Sequence, residues 1–203
     1  KTEVDKLLES DIFSWVFVHS YSCMERIYSE FNHLTDISSV MHNAAPRNII
    51  GFKNDRSTFA IFNRNLSWRR RVWLFPSRKL ITKKRGRFGE EYFNDLKNSH
   101  IAVNIHYSNK NLDDFESGIF EAMASGCAVI SEKLCDQTLK DLGLAKFIIQ
   151  VDSPKELKEN LKLLKSQPNL LKKYQEKSKE AIQKNSWHDR AGIMNKKFQE
   201  VCN

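Results

Sequence analysis

The amino-acid sequence predicts an α/β domain in which a parallel β-sheet carries helices on both faces and a helical tail follows it. Short apolar segments alternate with segments of helical periodicity through most of the chain, and this alternation is typical of parallel sheets. The apolar segments are nearly continuous, as expected for strands that are buried on both faces. From residue 153 onward the pattern is helical only.

The first elements form a strand, helix and strand. Residues 11–19 are apolar enough for a buried strand, residues 22–31 have helical spacing behind a Ser cap, and residues 37–41 predict a second strand. Residues 42–47 lose this periodicity and contain Pro46. We therefore expect the chain to cross between two domains there.

The alternation resumes after this crossing. Strands are predicted at 58–62, 79–82, 101–106, 127–131 and 147–151, and helices at 68–74, 89–97 and 118–125. Gly126 is positioned to end the last of these helices. In the tail, Ser153 and Ser186 each precede a helical pattern as N-cap residues, and Pro154 occupies a first helical position.

The charge of the chain is concentrated in one segment. The 203 residues carry a net charge of +8, yet Arg64 to Arg87 contains ten Lys or Arg and no acidic residue, so the remainder sums to −2. A local basic segment indicates an anionic partner at one site. Nucleic acid, an anionic membrane surface and a small molecule with phosphates all fit this pattern.

Other classes of site are disfavoured by the sequence. The four cysteines show no C-x-x-C pair and no His at a ligand spacing, and no P-loop or serine-hydrolase motif is present. We expect no metal, no cofactor and a reducing compartment. No apolar run approaches the roughly 20 residues of a membrane span. Because residue 1 is Lys, we expect a fragment or a processed chain.

The segment from Asp113 to Ile130 carries the predicted chemistry. A helix beginning near Gly118, just beyond a parallel strand, presents free backbone N–H groups and a positive dipole end to a crevice. Glu121 lies one turn further, where its carboxylate can accept hydrogen bonds from two sugar hydroxyls. The alternative is that Glu121 is a solvated surface residue without a role in binding. His106, at a strand end, is a weaker candidate for the same crevice.

This segment resembles the sugar-nucleotide site of the group-1 glycosyltransferases with the GT-B fold. The family signature is a Glu, seven residues, a second Glu, then Ala-x-Ala-x-Gly and a hydrophobic strand, and it is matched here by Asp113, Phe115, Glu121, Ala122, Ala124, Gly126, Val129 and Ile130. Weaker matches follow at Ser153–Leu157 and Trp187–Ala191.

The resemblance implies roles for individual residues. Glu121 would bind the nucleotide ribose, and Asp113, Glu116, Ser117 and Gly118 would face the donor sugar. Asp113 is one methylene shorter than the family's Glu, so that Asp114 or Glu116 could take its place. The donor diphosphate would meet Arg64, Arg69 or Arg70, among which the sequence does not choose. The catalytic residue is not identified.

The resemblance also implies the organisation of the protein. Residues 48–203 would form a Rossmann-like, donor-binding domain, and residues 1–47 the end of an acceptor-side domain that is otherwise missing. The expected activity is metal-independent transfer of a sugar from a nucleotide diphosphate sugar, in the cytoplasm or peripherally at the inner face of a membrane. The alternative is a non-enzymatic α/β module that uses residues 64–87 on nucleic acid or an anionic membrane; under the first interpretation no nucleic acid is expected.

Overall fold

A computed structural model describes residues 2–10, 12–45, 53–107 and 116–202. Its strands are β1 (Val16–Val18), β2 (Ser38–Val40), β3 (Thr58–Phe62), β4 (Thr82–Lys83), β5 (Ser99–Asn104), β6 (Ala128–Glu132) and β7 (Ile148–Val151). The last five form one sheet in the order β4-β3-β5-β6-β7, and every neighbouring pair is parallel. The predicted α/β fold class is therefore confirmed.

Nine α-helices are found in the described residues. They are α1 (Glu3–Leu8), α2 (Tyr21–Glu30), α3 (Trp68–Leu74), α4 (Gly89–Lys97), α5 (Ser117–Ala124), α6 (Asp136–Asp141), α7 (Pro154–Ser166), α8 (Pro168–Ile182) and α9 (Trp187–Cys202). The predicted Ser153 cap is present: its hydroxyl accepts a hydrogen bond from the Glu156 backbone N–H at 3.2 Å. Ser186 receives the Asp189 N–H at 3.3 Å in the same way.

Alternate residues of the strands build two apolar layers. Ile61, Ala102 and Val129 lie in register on neighbouring strands and belong to the core shared with α5 and the end of α8. The intervening positions, among them Phe62 and Val103, belong to the core shared with α3 and α7. Because both faces are buried, these strands show continuous hydrophobic runs in the sequence.

The N-terminal strands β1 and β2 form a separate two-stranded parallel sheet. This part contacts the rest of the chain through the Arg190 guanidinium, which donates to the His42 carbonyl at 3.0 Å, and through His42 Nε2, which lies 3.3 Å from Asp141 Oδ2. Residues 46–48, around the predicted boundary of two domains, lie outside the described residues. The division at residue 47 stays a prediction.

Several predicted elements differ in extent. Among the described residues of the predicted strand 11–19, Val16–Val18 pair with Ser38–Val40. The strand predicted at 79–82 is Thr82–Lys83. Helix α1 was not predicted, although Thr2 and Asp5 form a capping box with hydrogen bonds of 2.9 and 3.2 Å. Helix α6 was not predicted either.

Candidate functional site

The order of the strands places a crevice between β3 and β5. The chain passes from β3 to β4 on one side of it and then returns to β5 on the other side. At such a switch point the connections leave in opposite directions, and ligands of open α/β sheets bind at the carboxyl ends there. A cleft of about 330 Å³ lies at this position, lined by residues 63–65, residues 86–89, Tyr92, Phe93, Ser117 and Glu121. This volume is within the range of small-molecule sites.

Helix α5 points its N-terminus into the cleft. The helix begins at Ser117, which lines the cleft, and it ends where Gly126 adopts a φ of +75°. Ala122 and Ala124 are fully buried, so the helix lies close against the sheet. The Ile119 N–H donates to the Glu116 carbonyl at 3.0 Å, whereas the N–H groups of Ser117 and Gly118 have no acceptor within the helix and carry its positive dipole end. The arrangement favours an anion.

Gly118 makes room for Arg64 at this N-terminus. A Cβ atom placed on Gly118 would overlap the Nη2 and Cζ atoms of Arg64. The Arg64 guanidinium therefore lies directly on the first turn of α5, in the space that any other residue at position 118 would fill. A fixed cation and the helix dipole act on the same point of the cleft, where each favours negative charge.

Glu116 links two of the predicted arginines. Its carboxylate accepts from Arg70 Nη2 at 3.0 Å and lies 3.8 Å from Arg64 Nη1. Arg70 is 4% exposed and also donates to the carbonyls of Ile105 and Asn65, at 2.7 and 2.9 Å. Burial lowers the pKa of the Arg70 guanidinium from its usual value, and the Glu116 carboxylate opposes this shift. Two cations and one carboxylate leave this cluster with one net positive charge.

Arg69 lies at a different place. Both of its terminal nitrogens contact the Glu132 carboxylate, one of them at 2.7 Å, and the guanidinium donates to the His106 carbonyl at 3.0 Å. It also lies 5.4 Å from the centre of the Trp73 ring. These contacts join α3 to the last residue of β6 and to the segment after β5. Of the three predicted arginines, Arg64 is the one that lines the cleft.

Glu121 faces the cleft from the second turn of α5. The Tyr92 hydroxyl donates to its Oε2 atom at 2.8 Å. Desolvation raises the pKa of Tyr92 well above its usual value, so the phenol keeps its proton and remains a donor. A carboxylate has about four acceptor positions, and one bond to Tyr92 leaves capacity for hydroxyl groups of a ligand.

Residues 43–195 match the family model described as "Glycosyl transferase-like". The chain belongs to this family. A comparison with the sequences of curated proteins finds no match. Among solved structures, the pneumococcal O-GlcNAc transferase GtfA in complex with UDP and GlcNAc is similar, with a TM-score of 0.62 and 12% identity over 98% of this chain and 47% of that chain.

Two further structures show the same fold. The GtfA/B complex matches with a TM-score of 0.62 and 14% identity over 93% of this chain and 45% of that chain. WaaG, a glycosyltransferase involved in lipopolysaccharide biosynthesis, matches with a TM-score of 0.55 and 11% identity over 82% of this chain and 58% of that chain. The glycosyltransferase-like chain thus has the fold of GT-B glycosyltransferase halves and spans about half the length of the GtfA structures.

The remaining predicted site residues of this glycosyltransferase-like chain are placed as follows. Glu116 occupies the N-cap position of α5, but its side chain pairs with arginines instead of capping the helix, and Ser117 and Gly118 begin the first turn at the cleft. Asp113, like Asp114, lies outside the described residues. His106 is buried, with Nε2 3.0 Å from the Lys133 carbonyl, and it does not line the cleft.

Tyr92 and the turn that bounds the cleft opposite α5 were not predicted from the sequence. Gly86 and Gly89 adopt φ angles of +61° and +54°, on either side of the exposed Phe88. Two glycines within four residues after a short strand were a usable signal, because loops at the carboxyl ends of strands form the sites of these folds. Asn63 was also missed; its Nδ2 atom is buried and has no hydrogen-bond partner among the described residues.

Two kinds of feature are absent from the described residues. None of the helices is long and apolar enough to cross a membrane. No group of three or more His, Cys, Asp or Glu side chains that could hold a metal ion occurs in the described part of the chain.

Proposed function

We propose that this chain is the donor-binding part of a glycosyltransferase and that the cleft binds a nucleotide diphosphate sugar. The observation that carries the proposal is the Arg64 guanidinium resting on Gly118 at the N-terminus of α5, with Glu121 one turn further along. The similar GtfA structure is a complex with UDP and GlcNAc, which supports the same class of donor here.

Each group of the donor has a complementary surface. The diphosphate would lie at the first turn of α5 and accept hydrogen bonds from Arg64 and from backbone N–H groups. The ribose hydroxyls would donate to Glu121, which lies about one helical pitch, roughly 5.4 Å, along the axis. The sugar would extend toward Glu116 and Ser117, for which the sequence predicts donor-sugar contacts.

The same groups would assist the reaction. When the glycosidic bond breaks, the leaving nucleoside diphosphate gains negative charge. A guanidinium that is already in place stabilises this charge more in the transition state than in the ground state. The proposal assigns the neutralisation to Arg64 and α5 and calls for no metal ion. An acceptor hydroxyl would be positioned by the other half of a complete enzyme.

Thermal denaturation with a panel of nucleotide sugars tests the proposal. A ligand at about one hundred times its dissociation constant should stabilise the fold by about 2.7 kcal/mol. We expect a UDP- or GDP-sugar to stabilise the wild-type chain and to stabilise Arg64→Ala much less.

Arg71→Ala is the matched control. Arg71 belongs to the same basic segment and is exposed, but it lies outside the cleft. It should respond to donors as the wild type does. Stabilisation by oligonucleotides, together with no response to any nucleotide sugar, would contradict the proposal.

A further inference from the structure

An exposed apolar patch lies on the outer face of α3. It consists of Trp68, Val72, Phe75, Pro76 and Pro154, around a depression of about 460 Å³ that Arg71 also lines. Trp68, Val72 and Phe75 are 80%, 49% and 62% exposed. Their spacing of four and three residues puts them on one side of α3 and the turn that follows it. We call these five apolar residues the Trp68 patch.

The opposite side of α3 packs into the interior of the protein. Arg70 and Leu74 are buried there, and Leu74 belongs to the core between the sheet and α7. The Trp68 patch is therefore not needed for the interior, and it leaves two aromatic side chains in water. Contiguous exposed apolar groups with a polar rim mark surfaces that bind a protein or a membrane.

The rim of the Trp68 patch is basic. Arg71, Arg78 and Lys79 are exposed beside it on the same segment. Lys155 follows Pro154, but it lies 3.9 Å from the Glu159 carboxylate, so the basic part of the rim is the part on α3 and the turn after it. The Arg78 guanidinium lies 4.4 Å from the centre of the Phe75 ring, so its charge is held against the apolar surface. No acidic residue occurs between Arg64 and Arg87.

We propose that the Trp68 patch and its basic rim bind the surface of an anionic lipid bilayer. Trp and Phe are suited to the boundary between headgroups and acyl chains, and a basic rim complements anionic headgroups. A partner protein with this shape would have to supply acidic residues around an apolar protrusion. A nucleic acid would use the arginines but would leave Val72, Pro76 and Pro154 without a role.

The position of the Trp68 patch relates membrane binding to the cleft. Helix α3 begins only a few residues after the cleft residues 63–65, so a bilayer at the Trp68 patch would lie next to the cleft. This inference does not depend on the identity of the donor. Failure to bind nucleotide sugars would overturn the proposed function and leave membrane binding to be judged by its own experiment.

Vesicle co-sedimentation of the 203-residue chain tests this inference. The vesicles are made of phosphatidylcholine alone or of equal parts of phosphatidylcholine and phosphatidylglycerol. We expect binding to the anionic vesicles only, and weaker binding at high salt because exposed charges are screened. Arg71→Gln/Arg78→Gln should lower the partition coefficient about 30-fold, equivalent to about 1 kcal/mol for each Arg near the anionic surface.

The apolar part of the patch is tested separately. Trp68→Ser/Phe75→Ser changes two exposed side chains, and unchanged thermal denaturation would verify that it folds; it should also lose vesicle binding. Trp68→Phe should still bind but should lose most of the quenching of tryptophan fluorescence by brominated lipid. Phe198→Ser and Lys172→Gln/Lys196→Gln alter exposed residues of α8 and α9 and should bind as the wild type does.

Several results would overturn the inference. These are no binding to the anionic vesicles at low salt, equal binding to both kinds of vesicle, and equal losses in the patch variants and the control variants. Binding to a single-stranded oligonucleotide without vesicle binding would identify a nucleic-acid surface instead. Self-association that Trp68→Ser/Phe75→Ser abolishes, again without vesicle binding, would identify a contact between copies of the chain.

Discussion

Replacing Gly118 by alanine is the sharpest perturbation of the proposed donor site. The added methyl group would occupy the position of the Arg64 guanidinium, so the guanidinium must leave the first turn of α5. Gly118 has helical backbone angles, and alanine is compatible with them. The change therefore displaces one cation without imposing backbone strain.

The expected effect on binding is large and the effect on stability is small. Hydrogen bonds to charged groups contribute about 1.5–3 kcal/mol, and their loss should weaken the binding of a nucleoside diphosphate about 10- to 150-fold. Alanine favours a helix over glycine by at most about 1 kcal/mol, and Arg64 has a long side chain that can move aside. We expect the free energy of unfolding to change by less than about 1 kcal/mol.

Isothermal titration calorimetry with UDP or GDP measures the change in affinity. Arg64→Ala should weaken binding by a similar factor, and the double variant Gly118→Ala/Arg64→Ala should be little worse than either single variant, because both changes remove the same contact. Gly192→Ala is the control, since a Cβ there would meet no atom within 4 Å.

Wild-type affinity in Gly118→Ala would refute the assignment of Arg64 to the diphosphate. The assignment would also be refuted if the losses of binding free energy in the two single variants simply added in the double variant. Either result would mean that the phosphates bind elsewhere in the cleft or outside it.

Three more outcomes are expected. Glu121→Ala should weaken a nucleotide by about 1.5–3 kcal/mol or more, while Tyr92→Phe should lose less because the carboxylate itself remains; equal affinities for all three proteins in calorimetry would remove Glu121 from the site. Arg69→Ala should destabilise the fold by roughly 3 kcal/mol, the cost of breaking a nearly buried ion pair, and should lower the melting temperature by about 6–12 °C. The reason is that Glu132, with 8% of its side chain exposed, would lose its cation. Adding Glu132→Gln should restore part of the lost stability, and no rescue would contradict this explanation. Finally, the chain alone should transfer no sugar to an acceptor and at most hydrolyse the donor slowly, because positioning of the acceptor lowers the activation barrier by up to about 7–11 kcal/mol. Robust transfer to a defined acceptor in a radiolabel assay would contradict the assignment of acceptor binding to a missing half.

The sequence predicted the main sheet because burial on both faces leaves a direct mark, a run of apolar residues. Phe62 and Val103 are examples: each belongs to such a run and each lies in the core next to α3 and α7. The sequence also predicted the N-terminus of α5 from Gly118 and Glu121, since small residues and an acidic residue at helical spacing are local features. Short pairs such as Thr82–Lys83 leave almost no such mark, because both residues are exposed.

The roles of the three arginines could not be separated in this way. Arg69 and Arg70 follow each other on α3, and their environments depend on Glu132 and Glu116, which are 63 and 46 residues away in sequence. Nothing in the local pattern distinguishes them from Arg64. The contact between Tyr92 and Glu121 likewise joins two helices that the fold alone brings together.

Hydrogen–deuterium exchange with a bound nucleotide sugar locates the donor on the chain, because it reports which backbone amides the donor covers. We expect slower exchange at residues 63–65 and over the first two turns of α5, from Ser117 to Glu121, and no change in α9. The same donor should leave exchange in Arg64→Ala nearly unaltered at equal concentration. Protection confined to another surface, such as the cavity lined by Lys53, Arg56 and Lys172, would contradict the placement of the donor in this cleft.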